Sequence, residues 1–322
     1  MDATATGNAG TRWTAKALEG RIVRYGDLRP CLNAFIDTRT PGSEAKENFT
    51  IIGPGVSENP DQHVHIAEPH GFNIGGARQP ANCVNSQHSH DTAEVFVVHT
   101  GRWRFDFGEN GEDASVEAAP GDVVSFPTRT FRGFTNVGAP DDAPGFLWAV
   151  LGGDDPGRVT WAPRVFEMAR DYGLQLMENG ALVDTARGQT PPPGVAPMPP
   201  TSRETVASLR RMTPADVEDV IARAPADPAP GERLLIGQGG ALAATEGFTL
   251  TRLELAAGSA ASGVPAGAEV VFVHRGEAGV SVEDGTVRLG EGDTMTVPIG
   301  PDRRFTSEAG AVLFVVRGAE VH

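Results

Sequence analysis

His88, His90 and Glu94 lie two and then four positions apart, so every spacing among them is even. In extended backbone, side chains an even number of residues apart emerge on one face, and a bend between them need not undo this. Two neutral imidazoles and a carboxylate aimed at one point form the 2-His-1-carboxylate face used by non-haem Fe(II) and similar divalent ions. Such a set leaves coordination positions open for substrate and for dioxygen or water. The residue types and spacing therefore point to one divalent ion, Fe(II) first, with Mn, Ni, Zn or Cu as alternatives.

The elements that must hold this set read as short strands. Glu94 opens Val95-Phe96-Val97-Val98-His99, Thr100-Gly101 forms a turn, and Arg102-Trp103-Arg104-Phe105-Asp106-Phe107 returns. Ala119-Pro120-Gly121-Asp122 is a tight turn entering Val123-Val124-Ser125-Phe126, and residues 131–135 and 145–151 add further strands. This pattern resembles the cupin superfamily. His88-x-His90-x3-Glu94-x6-Gly101 looks like its first motif, and Gly121-x5-Pro127 running on to Asn136 looks like its second. The resemblance implies a double-stranded jelly roll, an all-β barrel with the site in its mouth. It also implies a further His ligand five residues after Pro127, a position held here by Arg132. A guanidinium stays protonated and cannot ligate. Two readings of Arg132 are open. It anchors a substrate carboxylate or enolate through its planar fork, or it pairs with Glu94 and abolishes the metal site.

The last third of the chain repeats the first. Glu269-Val270-Val271-Phe272-Val273-His274-Arg275-Gly276 aligns with residues 94–101, Gly292-Asp293-x4-Pro298 with Gly121-Asp122-x4-Pro127, and Arg303 with Arg132. The two metal-motif histidines have no counterpart there, since their positions are Gly263 and Pro265. We therefore expect an all-β chain with two cupin barrels, residues 20–153 carrying the metal motif and residues 228–322 degenerate and metal-free. The matching Arg303, in a half without those histidines, favours an Arg paired with the retained Glu. Residues 1–19 read as an arm. Residues 154–227 read as a helical and Pro-rich connection, with a helix over 163–172, a hairpin about Asn179-Gly180, a capping box at Thr201-Ser202-Arg203-Glu204 and a second helix opening at Thr213-Pro214.

Other histidines signal less. His99 and His274 match across the repeat but lie an odd number of residues from the Glu, so they should face away from the ligands. His63, His65 and His70 have no carboxylate at the matching spacing. They read as a polar strand or as a subunit-contact arm compatible with a homodimer, with a further metal ligand as the remaining option. Trp103, Phe105, Phe126 and Phe134 either line an apolar pocket or fill the core.

At 322 residues, two domains are expected, and 40 Gly and 25 Pro suit many turns between short strands. The net charge of −15 argues against nucleic acid or an anionic membrane as a partner. Cys31 and Cys83 make no disulfide framework; they read as reduced thiols of a soluble cytoplasmic protein, Cys83 near enough to the His pair to line its pocket. No signal-peptide-like segment and no long apolar run occurs. The functional expectation is a mononuclear dioxygenase-type oxidoreductase acting on a small anionic or enolisable substrate, aromatic ones included. Metal-dependent isomerase or lyase chemistry and non-catalytic small-molecule binding or sensing are the alternatives.

Overall fold

The structure, a computed structural model, describes residues 12–318. β-Branched and aromatic runs alternate with Gly- and Pro-rich turns, and short strands form wherever those runs occur. The chain divides into two compact units, Arg29–Ala224 and a discontinuous unit that joins the N-terminal segment through Leu28 to the residues from Pro225 onward.

In the first unit a five-stranded sheet runs in the order Thr160–Trp161, Val84–Ser89, Arg132–Asn136, Trp103–Phe107, Ala114–Ala118. A seven-stranded sheet runs Ile221–Ala222, Val123–Phe126, Glu94–Thr100, Gly145–Gly152, Phe72–Gln79, Glu47–Ile52, Val64–Ile66. The sheets pack face to face through aromatic rings. Phe96 of the larger sheet meets Phe134 and Phe105 of the smaller at 5.2 and 6.0 Å between centroids. Each such buried ring is worth about 1.5–3 kcal/mol in area alone. Trp103, Phe105, Phe126 and Phe134 all belong to this core.

The smaller sheet has one irregularity. Arg132 pairs with His88 but Phe134 pairs with Asn85, so the Val84–Ser89 strand carries an extra residue, a β-bulge. Gly133 lies at this point because a Cβ there would sit 2.7 Å from the Asn85 carbonyl oxygen and 2.6 Å from Gln87 Nε2.

The second unit repeats the plan. A six-stranded sheet runs Ile22–Val23, Thr294–Val297, Glu269–Gly276, Ala311–Gly318, Phe248–Leu255, Gly231–Ile236, beside a four-stranded sheet of Ser259–Gly263, Arg303–Ser307, Ala278–Val282 and Gly285–Leu289. Val271, Val273, Val280, Phe305 and Leu313 fill its interior. Its first strand lies in the segment from residue 20, which the sequence pattern assigns to the start of the first barrel. Ile22 pairs with Met295, Arg21 donates to Thr296 Oγ1 at 2.7 Å, and Arg24 donates to Asp293 at 2.7 Å. Residues 1–11 of the expected arm and 319–322 of the second barrel lie outside the described residues.

The connection packs with the first unit. Pro163–Asp171 is helical, with Val165, Phe166 and Ala169 buried, and Leu174–Leu176 pairs with Leu182–Asp184 as the expected hairpin. The helix Arg203–Ser208 is capped by Ser202, which accepts from Thr205 N, while Thr201 donates its hydroxyl to the Trp161 carbonyl at 2.6 Å. The helix expected at Thr213 is only a 3-10 turn, Val217–Val220. Asp216 accepts from both the Thr213 N–H and its hydroxyl, the back-bond of a capping box, so the start signal is present but only this short turn follows.

Candidate metal centre

His88 lies near the end of the strand Val84–Ser89, His90 just beyond it, and Glu94 opens the strand Glu94–Thr100. The two strands belong to different sheets, so the bend at residues 91–93 carries the chain across and brings the three side chains together. Their ligand atoms all lie within 4.8 Å of one another, and all three residues are buried. His90 Nε2 is 3.6 Å from Glu94 Oε1, and the two imidazole rings are perpendicular at 5.3 Å between centroids.

Hydrogen bonds prepare the set. His88 Nδ1 is 2.7 Å from the Ser86 carbonyl oxygen. A carbonyl only accepts, so Nδ1 carries the proton and Nε2 keeps its lone pair. Burial pushes the pKa of both imidazoles well below the ordinary range, and the positive charge of Arg132 pushes in the same direction. Both rings are therefore neutral at neutral pH and available as donors. Among the described residues no group bonds His90 Nδ1.

Arg132 stands opposite His88 in the sheet register and is 1% exposed. Its Nε donates to Glu94 Oε2 at 3.2 Å, its Nη2 donates to the same oxygen, and its guanidinium lies over the Phe126 ring at 5.3 Å. Of the two readings of Arg132, pairing with Glu94 describes its contacts. Arg132 is not among the residues that line the cavity above the triad. The pairing does not close the triad, however. It occupies Oε2 and leaves Oε1 facing His90. The second unit differs on this point. Glu269 gives Oε1 to Arg303 at 2.8 Å and Oε2 to both Arg303 and Arg317, at 3.1 and 2.7 Å, so neither oxygen is spare.

Above the triad is a cavity of about 70 Å³. Phe35, Phe49, Phe96, Phe134, Leu151 and Trp161 supply its apolar wall, and Asn48, Thr50, Gln62 and Asn85 its polar groups, with no Lys or Arg among the lining residues. The donor set fits a divalent ion: two neutral imidazoles, one with its tautomer fixed, and one carboxylate oxygen not claimed by the protein.

The support behind the triad was not legible from spacing. Asp37 and Lys46 form a fully buried ion pair, and Asp37 Oδ2 accepts the Ser86 N–H at 2.9 Å. The Ser86 peptide is thus held by Asp37 on one side and His88 on the other. Trp161 packs against His88 at a tilt of 48°, with 5.3 Å between ring centroids, and donates its indole N–H to Glu58 at 2.6 Å. Burial, the largest influence, pushes the Glu58 carboxyl up to about 8.

The remaining candidates lie elsewhere. His65 bonds the Thr50 carbonyl oxygen and the Arg29 N–H, His63 packs edge-on against His65, and His70 bonds the Glu68 carbonyl oxygen. His99 and His274 pack on Phe146 and Phe314 respectively. Cys83 is buried off the cavity wall, its thiol pushed up to about 11 by burial. Among the described residues no other group of three comparable ligands converges, and no helix is long and apolar enough to cross a membrane.

No protein-family model and no curated protein matches the chain. Solved structures match by fold. They include an oxalate decarboxylase–formate complex from Lactobacillus farciminis (TM-score 0.57, 11% identity, 97% of this chain and 88% of that chain). Another is oxalate decarboxylase from Bacillus subtilis at pH 4.6 (TM-score 0.55, 12% identity, 93% of this chain and 76% of that chain). A third is bacterial pirin from Escherichia coli in complex with nickel(II) (TM-score 0.54, 9% identity, 93% of this chain and 99% of that chain). Both kinds of protein belong to the cupin superfamily.

Proposed function

On the two-barrel cupin fold of this chain, we propose that the first barrel is a mononuclear metal-dependent enzyme of the dioxygenase type and that the second is a metal-free structural partner. One observation carries the reading. Two neutral imidazoles and the free Glu94 Oε1 converge beneath an apolar cavity. His88, His90 and Glu94 would hold the ion. When bound, such an ion supplies a Lewis acid for a carbonyl or enolate oxygen, and open coordination positions for dioxygen or water.

The chain's own groups define the rest. The Ser86 carbonyl orients His88, and Arg132 holds Glu94 Oε2 so that Oε1 faces the histidines. The aromatic wall limits water around the reacting group. The cavity wall presents no cation to a free carboxylate, so the substrate we favour is the enolisable one rather than a dianion.

The test is oxygen consumption by the chain reconstituted with Fe(II), Mn(II), Ni(II) or Cu(II), over small β-diketones and catechols, with gentisate as the anionic and flavonols as the bulky comparison. Uptake with one class, lost in His88→Ala, supports the reading. A chain that binds the ion but takes up no oxygen and transforms no compound argues for binding or sensing instead.

A further inference from the structure

Two side chains on the cavity wall are not accounted for by the metal site. Asn48 and Asn85 are 8% and 5% exposed, and both line the cavity that holds the triad. Asn48 Nδ2 and Asn85 Oδ1 are fully buried with no hydrogen-bond partner among the described residues. Buried polar groups are nearly always paired, and an unpaired one is costly. Other polar groups of the wall are engaged: the Thr50 hydroxyl donates to Gln62, whose amide nitrogen donates to the Pro54 carbonyl at 2.6 Å.

The backbone has been shaped to place these two groups. Asn85 and His88 are an odd number of residues apart and on a regular strand would face opposite ways. The bulge between them puts both on the cavity, and Gly133 allows the neighbouring strand to approach closely there. Asn48 stands opposite Ala77, whose small side chain also lines the cavity.

We infer that Asn48 and Asn85 form the polar end of the substrate site and receive an uncharged compound that carries a hydroxyl as well as a carbonyl. Asn48 Nδ2 offers a donor and Asn85 Oδ1 an acceptor, and a hydroxyl both accepts and donates. The absence of Lys and Arg from the wall leaves no partner for a charged group at this end. A cavity of about 70 Å³ has room for a handful of water molecules or a compound of a few carbon atoms. This inference rests on the metal-enzyme reading, since the carbonyl is assigned to the ion.

Acetoin and 2-butanone, which differ by one hydroxyl, are the probes. Their dissociation constants are measured by ligand-observed NMR on the full chain loaded with Zn(II). Acetoin should bind roughly tenfold more tightly, because a site built for a hydroxyl rejects the analogue lacking it. Asn48→Leu and Asn85→Leu should each reduce the preference to within about twofold while zinc stoichiometry stays at that of the wild type. Their melting temperatures should be unchanged or raised, because an unpaired amide is replaced by an apolar group of similar size. Equal binding of the two ketones, binding of neither, or a preference kept in both variants overturns the subsite alone. A marked loss of stability in both variants also overturns it, because the amides would then be structural. The matched pair on wild type decides the question even if a variant does not fold. Failure of the wild type to bind zinc overturns the metal reading first, and this subsite with it.

Discussion

Arg132→Leu probes the departure from the usual ligand set most sharply. Arg132 is buried and gives two donors to one oxygen of a buried carboxylate. Removing one partner of a buried ion pair costs about 3–5 kcal/mol, because the other charge is left unpaired. For a unit of this size, 1 kcal/mol corresponds to about 2–4 °C in melting temperature. The metal-free variant should therefore melt about 6–20 °C below the metal-free wild type. A divalent ion held by Glu94 replaces the lost positive charge, so saturating Zn(II) should recover most of that difference. By linkage, the variant must then bind zinc more tightly, by at least about tenfold. The assay is thermal unfolding with EDTA and with saturating zinc, beside a competition titration for affinity. Equal destabilisation in both conditions with unchanged affinity would refute the reasoning, because Glu94 would then not be a ligand.

Arg132→His restores the ligand type usual at this position. It should tighten metal binding further than Arg132→Leu in the same competition titration, and should lower turnover of any substrate found. Arg303→Leu should destabilise the metal-free chain less than Arg132→Leu, since Glu269 keeps Arg317, and zinc should not recover the loss. Glu58 should give a pH signature. Its folded pKa of about 8 lies above the ordinary carboxyl value, so the folded state holds the proton more tightly. The stability contributed by that proton is fully present below pH of about 4.3 and is lost as pH rises through about 8. Glu58→Gln does not titrate and should gain on wild type by a few kcal/mol between pH 5 and pH 9 in denaturant unfolding. A pH-independent difference would show that Glu58 is ionised throughout.

The two barrels were legible because their signals are local and repeated. Glu-x6-Gly and Gly-x5-Pro recur at Glu94 and Glu269 and at Gly121 and Gly292, and each marks a strand and its turn. Gly101, for example, has φ of +83° and a close neighbour in Gly145, which only glycine satisfies. The triad was legible because its spacing is short. What escaped depended on contacts distant in sequence. The two-residue strand Ile22–Val23 is too short to carry a pattern, and its partner Thr294–Val297 lies far along the chain. Asp37, Lys46 and Glu58 are single charged residues outside the strands, with no spacing to mark them. The bulge at Asn85 reverses the face that simple alternation assigns, so spacing alone does not place Asn85 on the cavity. Arg132 was ambiguous because sequence gives its charge but not which carboxylate it meets.

Metal stoichiometry tests the central claim most directly. Elemental analysis after reconstitution and desalting should give about one first-row divalent ion per chain for the wild type and for Glu269→Ala. His88→Ala should hold little, because two remaining protein ligands bind such an ion poorly. A wild type that retains no ion, or an ion lost with Glu269→Ala and kept with His88→Ala, would contradict the account.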